Sequence, residues 1–446
     1  MKDLANLIKE KKAQIGVVGL GYVGIPVACL FASKGFDVLG FDINKEKIDL
    51  INKGENPIEG KEPGLSELLK KVIKAKKFKA TLDKNLLRQM DVIMVAVETP
   101  LDPETKSPSY LALKKASEEI GKNLKKNTLV IIESTIGPNT TERIVKPILE
   151  KNSRLKAGKD FYLVHCPERV MPGKLLKNLT TLDRVIGSVD KKGGQAAKLL
   201  YQNITRGKLK TVDCLTAELV KTIENSYRDT QIAFANEIAL ICEKLGADFF
   251  KVKNLVYWSL LQAGAGVGGH CLPKDSWLLM DGVKGLPADR QEKFQPQLLQ
   301  AARQINEFMP THLADLTEEA LGEAKISPSE AKIVLLGIAY LENSDDTRNS
   351  PGARCYFALR RKGAKNIIAH DPFAKDYEGI KISNNLEEAI SKADCLVFAT
   401  AHNEYKKLKL KDIAKLVRTK VIIDGRNIFD KEKTEGAGFI YKGIGK

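Results

Sequence analysis

The start of the chain alternates apolar runs and glycines in an order that predicts a strand, a tight turn, a helix and a second strand. QIGVVGLGYVG, from Gln14, is an apolar strand that runs into glycines at 19, 21 and 24. IPVACLFASKG continues at helical spacing to Gly35, and FDVLGFDIN ends a second strand at Asp42. An acid about twenty residues after a GxGxxG turn is where a dinucleotide-binding βαβ unit places its ribose-binding carboxylate. The alternative is a glycine-rich turn that binds no ligand.

Two more apolar runs, MDVIMVAVETP and NTLVIIESTIG, end in polar residues, as the buried strands of an open parallel sheet do where functional loops collect. We expect this first domain to cover residues 1–205. LTAELVKTIENSYRDTQIAFANEIALICEKLG then keeps apolar residues at three- and four-residue spacing for longer than an ordinary helix needs. This pattern predicts a long central helix within a helical domain over residues 206–325, where we expect dimer contacts.

The strand and helix pattern returns in the last part of the chain. KIVLLGIAY from Lys332 and NIIAHDP up to Asp371 predict strands on either side of a helix through GARCYFALRRKG. LEEAISKADCLVFATA and VIIDGRN repeat the order of the first domain, although no complete GxGxxG is present. We therefore expect an α/β protein with two Rossmann-like, doubly wound parallel-sheet domains, the second over residues 326–446, joined by the long central helix. Two nucleotide-type domains suggest two ligands in one cleft.

Composition narrows the class of protein without choosing a function. Hydrophobic residues make up 43% and charged residues 29% of the chain, and no apolar run approaches the roughly 20 residues of a membrane span. MKDLANLIKEKKAQ at the N-terminus lacks the apolar core of a signal peptide, so we expect a cytoplasmic protein without a membrane partner. The net charge of +16 would suit nucleic acid or an acidic ligand, but no nucleic-acid-binding motif accompanies the lysines.

Seven cysteines are scattered along the chain without a CxxC pair, which argues against a disulfide framework or a structural zinc site. Cys271 stands apart because it lies in GAGVGGHCLPKDSW, with four glycines before it and Asp275 after it. Such a cluster indicates unusual dihedral angles or a ligand too close for side chains, so we expect a displayed thiol. A thiol can hold an aldehyde as a thiohemiacetal; loss of a second hydride then gives a thioester that water hydrolyses to an acid.

Polar residues on the long helix could serve this chemistry. Lys221 and Asn225 are spaced i, i+4, so they share a helix face and could donate to an alkoxide. The alternative is a solvated surface stripe.

Seven motifs occur in an order that resembles the nucleotide-sugar 6-dehydrogenases, the UDP-glucose and UDP-N-acetylhexosamine dehydrogenase family. They are GLGYVG, ESTIGP, CPERVMPGK, ELVKTIENSYRDTQIAFANE, GVGGHCLPKD, DDTRNSP and DGRN, and the resemblance covers nearly the whole chain. It implies a four-electron, NAD-dependent oxidation of a UDP-sugar at C6 to the uronic acid, of the kind used in polysaccharide biosynthesis. It also implies a helical dimer core, a homodimer or higher homo-oligomer, and a C-terminal UDP-binding domain.

The resemblance assigns catalytic roles to residues of this chain. Cys271 resembles the family's nucleophile and Asp275 its partner carboxylate. Lys221 and Asn225 resemble the pair that stabilises the alkoxide and the later oxyanions.

Two residues of the first domain resemble the groups that handle water. Thr135 matches the hydroxyl that positions a catalytic water, and Glu168 the glutamate of proton transfer and thioester hydrolysis. The residues expected to bind NAD are Gly19, Gly21, Tyr22, Val23, Gly24, Asp42, Thr99, Thr135 and Arg348, with Pro100 beside Thr99. The residues expected to bind the sugar nucleotide are Glu168, Arg169, Lys221, Asn225, Arg228, Gly266 and Gly268. No metal is expected. For Arg348 the alternative is a structural salt bridge to Asp345 or Asp346.

Departures from the family bear on the sugar. Pro172 stands where UDP-glucose enzymes typically place a second acid, and PERVMPGK and NSYRD look like the N-acetylhexosamine branch. We therefore expect UDP-N-acetyl-D-mannosamine as the preferred substrate, followed by UDP-N-acetylglucosamine and then UDP-glucose. Leu341 replaces the lysine that often follows the aromatic residue of the C-terminal AYK motif, and WSLLQAGAG is more apolar than expected.

Three alternatives remain open at this point. His165-Cys166 and His270-Cys271 could be ligands of a catalytic zinc in an alcohol dehydrogenase, although two dipeptides do not define a zinc geometry. A hydroxyacid dehydrogenase would also use a helix lysine, but would need neither the thiol nor a second nucleotide-type domain. A non-catalytic NAD-sensing protein would leave Cys271, Lys221 and Asp275 as coincidences.

Overall fold

A computed structural model describes residues 2–58, 60, 62–284 and 295–446 of the chain. These residues fall into two compact units. The first comprises residues 2–224 with residues 277–284, and the second comprises residues 225–276 with residues 295–446. The units divide the chain differently from the predicted boundaries at 205 and 325, which stay a prediction.

The first unit is built on one large sheet. Its strands are β1 (Gln14–Val18), β2 (Asp37–Phe41), β3 (Phe78–Thr81), β4 (Val92–Val95), β5 (Leu129–Ile132), β6 (Tyr162–His165), β7 (Arg184–Ser188) and β8 (Leu209–Val212). In the described residues their order is β3-β2-β1-β4-β5-β6-β7-β8. Strands β1 to β6 are parallel, in the order of a dinucleotide-binding sheet. The sequence did not predict β7, which runs antiparallel to β6.

Helices cover both faces of this sheet, which is why its central strands read as continuous apolar runs. They are α1 (Lys2–Lys9), α2 (Gly24–Ser33), α3 (Lys45–Lys53), α4 (Leu65–Lys74), α5 (Leu111–Asn123), α6 (Lys146–Ser153), α7 (Leu175–Thr181) and α8 (Lys191–Tyr201), with a 3-10 helix at Lys84–Gln89 and a π-helical turn at Thr141–Val145. Leu278, from much later in the chain, completes this core: it is fully buried in the cluster that also holds Tyr110 and Ile136.

The central helices are α9 (Cys214–Leu245), α10 (Phe249–Leu255), α11 (Leu272–Lys284) and α12 (Gln297–Glu323). Helix α9 has 32 residues, as its long apolar periodicity predicts, and it ends before Gly246, whose φ is 72°. The boundary between the two units lies within α9, after Glu224.

The second unit holds a second sheet, entirely parallel in the described residues. Its strands are β9 (Lys332–Leu336), β10 (Asn366–His370), β11 (Ile382–Ser383), β12 (Cys395–Phe398), β13 (Val421–Asp424) and β14 (Ile440–Gly443). Their order, β11-β10-β9-β12-β13-β14, repeats that of β1 to β6. The other helices are α13 (Pro351–Arg361), α14 (Leu386–Ile390), α15 (Asn403–Lys406), α16 (Leu410–Leu416) and α17 (Lys431–Gly436). The predicted fold class, with two doubly wound sheets, is confirmed.

The turn after β9 preserves part of the glycine geometry found after β1. Gly19 and Gly337 both have positive φ, 91° and 102°. A Cβ atom on Gly24 would lie 1.9 Å from the carbonyl oxygen of Gly19, and one on Gly352 would lie 2.1 Å from that of Gly337. The two sheets therefore start with the same strand-to-helix packing, although the second has a longer turn.

Within the described ranges, none of the helices has the length and apolar content needed to cross a bilayer.

Candidate active site

The turn between β1 and α2 has the geometry of a pyrophosphate-binding loop. Gly19 and Gly24 pack too closely for side chains, whereas a Cβ atom on Gly21 would meet nothing within 4 Å. The space beside Gly21 is thus open for a ligand to approach the backbone, next to the N-terminus of α2. The carboxylate of Asp42 accepts hydrogen bonds from the backbone N–H groups of Leu20 (2.8 Å) and Asn44 (3.0 Å), at the end of β2. These residues fit a bound dinucleotide.

A glutamate that the sequence did not single out holds this turn. The hydroxyl of Tyr22 donates to the carboxylate of Glu62, which also accepts from the backbone N–H of Gly173 at 2.7 Å. The predicted cofactor turn is therefore hydrogen-bonded, through one side chain, to the loop that carries PERVMPGK.

The loops after β4 and β5, where the sequence predicts functional residues, are hydrogen-bonded to each other. The hydroxyl of Thr99 donates to the backbone carbonyl of Thr135 at 2.7 Å. The hydroxyl of Ser134 donates to the backbone carbonyl of Val97 at the same distance. Two predicted site residues, Thr99 and Thr135, are thus brought together.

Glu168 lies in the loop after β6 and is almost completely buried. Its carboxylate accepts a hydrogen bond from the backbone N–H of Val170, which fixes the direction of the side chain. Arg169 forms a bidentate ion pair with Glu224, at 2.6 and 2.9 Å, and donates to the carbonyl of Asp183. The predicted contact of Arg169 with substrate stays a prediction.

The sequence did not reveal a buried polar cluster around Glu133, the residue that follows β5. The carboxylate of Glu133 lies 3.5 Å from the guanidinium of Arg184 and accepts a hydrogen bond from the Tyr201 hydroxyl. Arg184 also lies over the Tyr201 ring, at 4.7 Å, and 3.9 Å from the sulfur of Cys166. Burial raises the pKa of Glu133, while Arg184 and Tyr201 oppose that rise. The sequence did contain one indication of this cluster: in LVIIE, an acid directly follows four buried apolar residues.

Glu218 on α9 was also missed, and it holds the segment that follows Thr135. Its carboxylate accepts from the backbone N–H groups of Asn139 (2.6 Å) and Thr141 (2.8 Å). Burial raises the pKa of Glu218 to about 7, against the effect of these hydrogen bonds. The start of α9 and the ESTIGP loop are therefore tied together one turn before Lys221.

The predicted helix donors are not surface residues. Lys221 is only 5% exposed, which excludes the solvated stripe that the sequence left open. Asn225, one turn later on α9, donates its side-chain N–H to the carboxylate of Asp275 at 2.6 Å. Arg228 is exposed. The structure thus joins two predicted catalytic residues, Asn225 and Asp275, directly.

Cys271 is the half-exposed member of the cysteine set. All seven cysteines lie in described residues, and the other six are buried. Helix α11 begins immediately after Cys271, and the carbonyl of Cys271 accepts the backbone N–H groups of Lys274 (3.0 Å) and Asp275 (2.9 Å). The thiol therefore stands at a helix N-terminus, where negative charge is favoured.

Asn236, Asn306 and Pro310 contact the backbone of the glycine loop and restrict its conformation. The N–H of Gly264 donates to the Asn236 side chain at 2.9 Å. Gly266 has a φ of 125°, and a Cβ atom there would lie 3.1 Å both from the carbonyl oxygen of Asn306 and from the Pro310 ring. Because Pro310 has no N–H, it leaves the carbonyl of Asn306 without its helical partner. Packing within the chain itself thus requires glycine at residue 266.

Tyr340 accounts for the next two glycines. Cβ atoms on Gly268 and Gly269 would lie 2.4 and 2.8 Å from atoms of Tyr340. The sequence attributed these glycines to close approach by a sugar; the structure supplies a reason within the chain, and contact of Gly266 and Gly268 with a sugar stays a prediction.

Arg348 makes the salt bridge that was its alternative explanation. Its guanidinium pairs with the carboxylate of Asp346 through two contacts, at 2.9 and 2.5 Å. A contact of Arg348 with the cofactor stays a prediction.

The zinc hypothesis receives no support from the histidines. His165 is fully buried, and burial lowers its pKa to about 3. Burial, with Lys274 and Arg348 nearby, lowers the pKa of His270 to about 4. Among the described residues, no group of three or more His, Cys, Asp or Glu side chains is arranged to hold a metal ion.

Three family models match the chain in order. The NAD binding domain of the UDP-glucose/GDP-mannose dehydrogenase family matches residues 13–205, its central domain residues 215–308 and its UDP binding domain residues 334–431. The chain belongs to the UDP-glucose/GDP-mannose dehydrogenase family. It is an NAD-dependent oxidoreductase, so the family and the cofactor expected from the sequence are confirmed. The zinc alcohol dehydrogenase, the hydroxyacid dehydrogenase and the NAD sensor are set aside.

Similar proteins match over nearly their whole length. The UDP-N-acetyl-D-mannosamine dehydrogenase of Pyrococcus horikoshii is 40% identical over 437 residues, 97% of this chain and 99% of that protein. The solved structure of UDP-D-ManNAc dehydrogenase from Pyrococcus horikoshii has a TM-score of 0.88 and 39% identity, covering 97% of this chain and 99% of that one. NDP-N-acetyl-D-galactosaminuronic acid dehydrogenase from Methanosarcina mazei Go1 has a TM-score of 0.86 and 40% identity, covering 100% and 98%.

Proposed function

We propose that this protein oxidises the C6 hydroxyl of a UDP-N-acetylhexosamine to the carboxylate in two successive two-electron steps at one site. The observation that carries the proposal is a single half-exposed thiol, Cys271, directly before a helix whose first turn holds Asp275 against Asn225. NAD, when bound, accepts the hydride of each step. All other tasks fall to side chains of the chain.

The first oxidation needs a group that stabilises the sugar oxygen as it loses its proton. Lys221, buried on α9, and the amide of Asn225 are the proposed donors. A cation in a site shielded from water stabilises a developing oxyanion far more than an exposed one does.

The second oxidation needs the aldehyde to be held covalently. In the proposed step, the sulfur of Cys271 forms a bond with C6 of the aldehyde, and Asp275 takes the proton of the thiol and passes it to the carbonyl oxygen, which becomes the hydroxyl of a thiohemiacetal. Loss of the second hydride from C6, together with transfer of the hydroxyl proton to Asp275, leaves a thioester. Water, positioned by Thr135 and deprotonated by Glu168, then breaks the C–S bond and releases the acid and the free thiol.

UDP-N-acetyl-D-mannosamine is the proposed preferred sugar. Pro172 in PERVMPGK supports an N-acetylhexosamine over glucose. The relative from Pyrococcus horikoshii is named for UDP-N-acetyl-D-mannosamine, which supports this choice. The relative from Methanosarcina mazei is named for an N-acetyl-D-galactosaminuronic acid, so UDP-N-acetylgalactosamine is the alternative to test. UDP-N-acetylglucosamine and UDP-glucose complete the comparison.

Self-association through α9 is part of the proposal. On this helix Tyr227, Phe234, Ile241 and Leu245 are exposed by 64%, 52%, 47% and 77%, and their spacing places them on one face. An apolar stripe of this kind on a single chain marks a contact surface, and a second copy of the chain is the proposed partner.

The experiment measures NADH formed per sugar with excess NAD, using UDP-N-acetylmannosamine, UDP-N-acetylgalactosamine, UDP-N-acetylglucosamine and UDP-glucose. The wild-type protein should form two NADH per sugar. Cys271→Ala should lose the second oxidation, while Cys242→Ala, at a buried cysteine in the same unit, should retain it. Two NADH per sugar from a folded Cys271→Ala variant would overturn the mechanism; faster turnover of UDP-glucose would overturn only the choice of sugar.

A further inference from the structure

The loop between β9 and α13, residues 337–350, holds the glycine loop that presents Cys271. The backbone N–H of Gly269 donates to the carbonyl of Arg348 at 2.8 Å. The side-chain N–H of Asn349 donates to the carbonyl of Gly269 at 2.9 Å. Tyr340 packs directly against the backbone of Gly268 and Gly269. Two residues before the thiol, the main chain is therefore fixed by this loop.

Two fully buried side chains, which follow strands of the C-terminal sheet, hold the first half of the same loop. One carboxylate oxygen of Asp371, after β10, accepts from the backbone N–H groups of Ile338 and Ala339, both at 2.8 Å. The Nδ1 atom of His402, after β12, accepts from the backbone N–H of Asn343 at 2.9 Å. His402 and Asp371 are themselves joined, with Nε2 3.2 Å from the carboxylate.

The hydrogen bonds define which nitrogen of His402 carries the proton. Because Nδ1 accepts a backbone N–H, the hydrogen must be on Nε2, which donates to Asp371. One neutral imidazole thus links the middle of the loop to the carboxylate that anchors its first residues. Phenylalanine would keep the ring and lose both bonds, whereas asparagine would keep an acceptor near the position of Nδ1.

Asp371 stands at the end of the second strand of its sheet, as Asp42 does in the first. The Asp42 side chain remains 10% exposed, whereas that of Asp371 is fully buried and bonded to the loop and to His402. In the second sheet this acid therefore acts within the chain instead of facing a ligand.

We infer that His402 is a positioning residue for the thiol of Cys271, acting through the 337–350 loop and the backbone of Gly269. The hydrogen bonds of the His402 ring go to Asn343 and Asp371, and its effect is to hold the loop that fixes the residues before Cys271. The inference rests on the proposed catalytic role of Cys271.

The test compares His402→Phe with His370→Phe. His370 is a matched control, since it is also a fully buried histidine of the same sheet, but its side chain pairs with Tyr405. Only its backbone carbonyl contacts the loop, at Gly337, and His370→Phe keeps that carbonyl. The readout is the rate of alkylation of Cys271 by iodoacetamide in the native protein, followed by peptide mass spectrometry. Cys271 is the half-exposed cysteine of the seven, so labelling is selective.

His402→Phe should raise the alkylation rate of Cys271 about threefold or more and lower kcat about tenfold or more, the scale on which misplacement of a reacting group acts. The KM for NAD should not change, and His370→Phe should change neither the alkylation rate nor kcat. His402→Asn should be alkylated more slowly than His402→Phe. Wild-type alkylation and turnover in His402→Phe, or equal effects in His370→Phe, would overturn the inference.

A second variant keeps the test decisive where His402→Phe does not fold. Asn349 is exposed with a φ of 49°, so Asn349→Gly removes the hydrogen bond to Gly269 without straining the backbone. It should also speed alkylation of Cys271, and an unchanged rate would count against the loop. Alkylation does not require turnover, so its outcome is separate from the Cys271→Ala result.

Discussion

The side-chain nitrogen of Asn225 lies 2.6 Å from a carboxylate oxygen of Asp275, which hydrogen-bonds helix α9 to the first turn of α11. This contact fixes the carboxylate one helical turn after Cys271, and in the proposed mechanism Asp275 is the group that takes the proton of the thiol. The proposal therefore predicts that turnover depends on the charge of Asp275 and not only on the shape of its side chain.

Asp275→Asn keeps the size of the side chain and an acceptor for Asn225, but it removes the base. We expect kcat to fall about 100-fold, the scale of one positioned acid–base group, with the unfolding midpoint nearly unchanged. Steady-state NADH formation and thermal unfolding measure the two effects. Asp281→Asn, on the same helix, is the control; equal loss in both variants would remove Asp275 from proton transfer.

Asp42→Asn should weaken the preference for NAD over NADP. The carboxylate lies at the end of β2 and accepts a hydrogen bond from the backbone N–H of Leu20 in the glycine turn. At this position it would bind the ribose hydroxyls of NAD and repel the 2′-phosphate of NADP. Removing this charge should lower the ratio of kcat/KM for NAD to that for NADP about tenfold or more. Asp37→Asn, at the other end of the strand and paired with Lys77, should leave the ratio unchanged. An unaltered ratio in Asp42→Asn would place the ribose elsewhere.

Glu168→Gln should slow hydrolysis of the thioester more than either oxidation. The amide keeps an oxygen that can accept from the N–H of Val170, but it cannot deprotonate water. Intact-protein mass spectrometry under turnover should then detect the sugar nucleotide bound to Cys271. Slow turnover without this adduct would assign Glu168 to substrate binding instead.

His165 should make the protein less stable in acid. Burial lowers its pKa to about 3 from an ordinary value of 6.5, so below pH 6.5 the unfolded chain binds a proton that the folded chain does not. Stability present above pH 6.5 is lost as the pH falls toward 3, by about 1.4 kcal/mol per pH unit. Denaturant unfolding of His165→Leu at pH 7.5 and 5.5 should show a smaller difference than the wild-type protein. If the unfolding free energy changed equally between the two pH values in both proteins, His165 would not be the cause of the pH dependence.

Phe234→Glu should dissociate the proposed oligomer. A carboxylate in the middle of the α9 stripe would be desolvated on association, so light scattering coupled to size exclusion should show a smaller particle. Leu111→Glu changes a single exposed leucine at the start of α5 and should leave the mass unchanged. A wild-type mass for Phe234→Glu would show that the stripe is not the contact.

The sequence predicted the fold where local patterns carry the information. Buried parallel strands appear as uninterrupted apolar runs, so β1, β5 and β13 were identified from a few residues each. The glycine spacing at residues 19 to 24 and the periodicity of α9 are equally local. The antiparallel strand β7 could not be predicted in this way, because strand direction depends on its partner β6.

Motifs in the sequence predicted the residues of the candidate site, but not the residues that hold those site residues in place. Lys221, Asn225 and Asp275 lie in recognisable stretches, and the structure adds that Lys221 is buried and that Asn225 contacts Asp275. Glu62 and His402 contact residues far away in sequence, and nothing in their local surroundings indicates a partner. Such contacts follow from the folded topology.

The burial of Leu278 in the first unit has a consequence during translation. The ribosome makes residues 2–224 well before it makes Leu278, so the emerging N-terminal sheet lacks one side chain of its core. A missing buried leucine costs about 2 to 5 kcal/mol. The nascent unit should stay loosely packed until α11 has left the exit tunnel, and the glycine loop with Cys271, made just before α11, is then already present when that core closes. A fragment that ends after residue 213 never acquires Leu278, so its N-terminal core should stay incompletely packed.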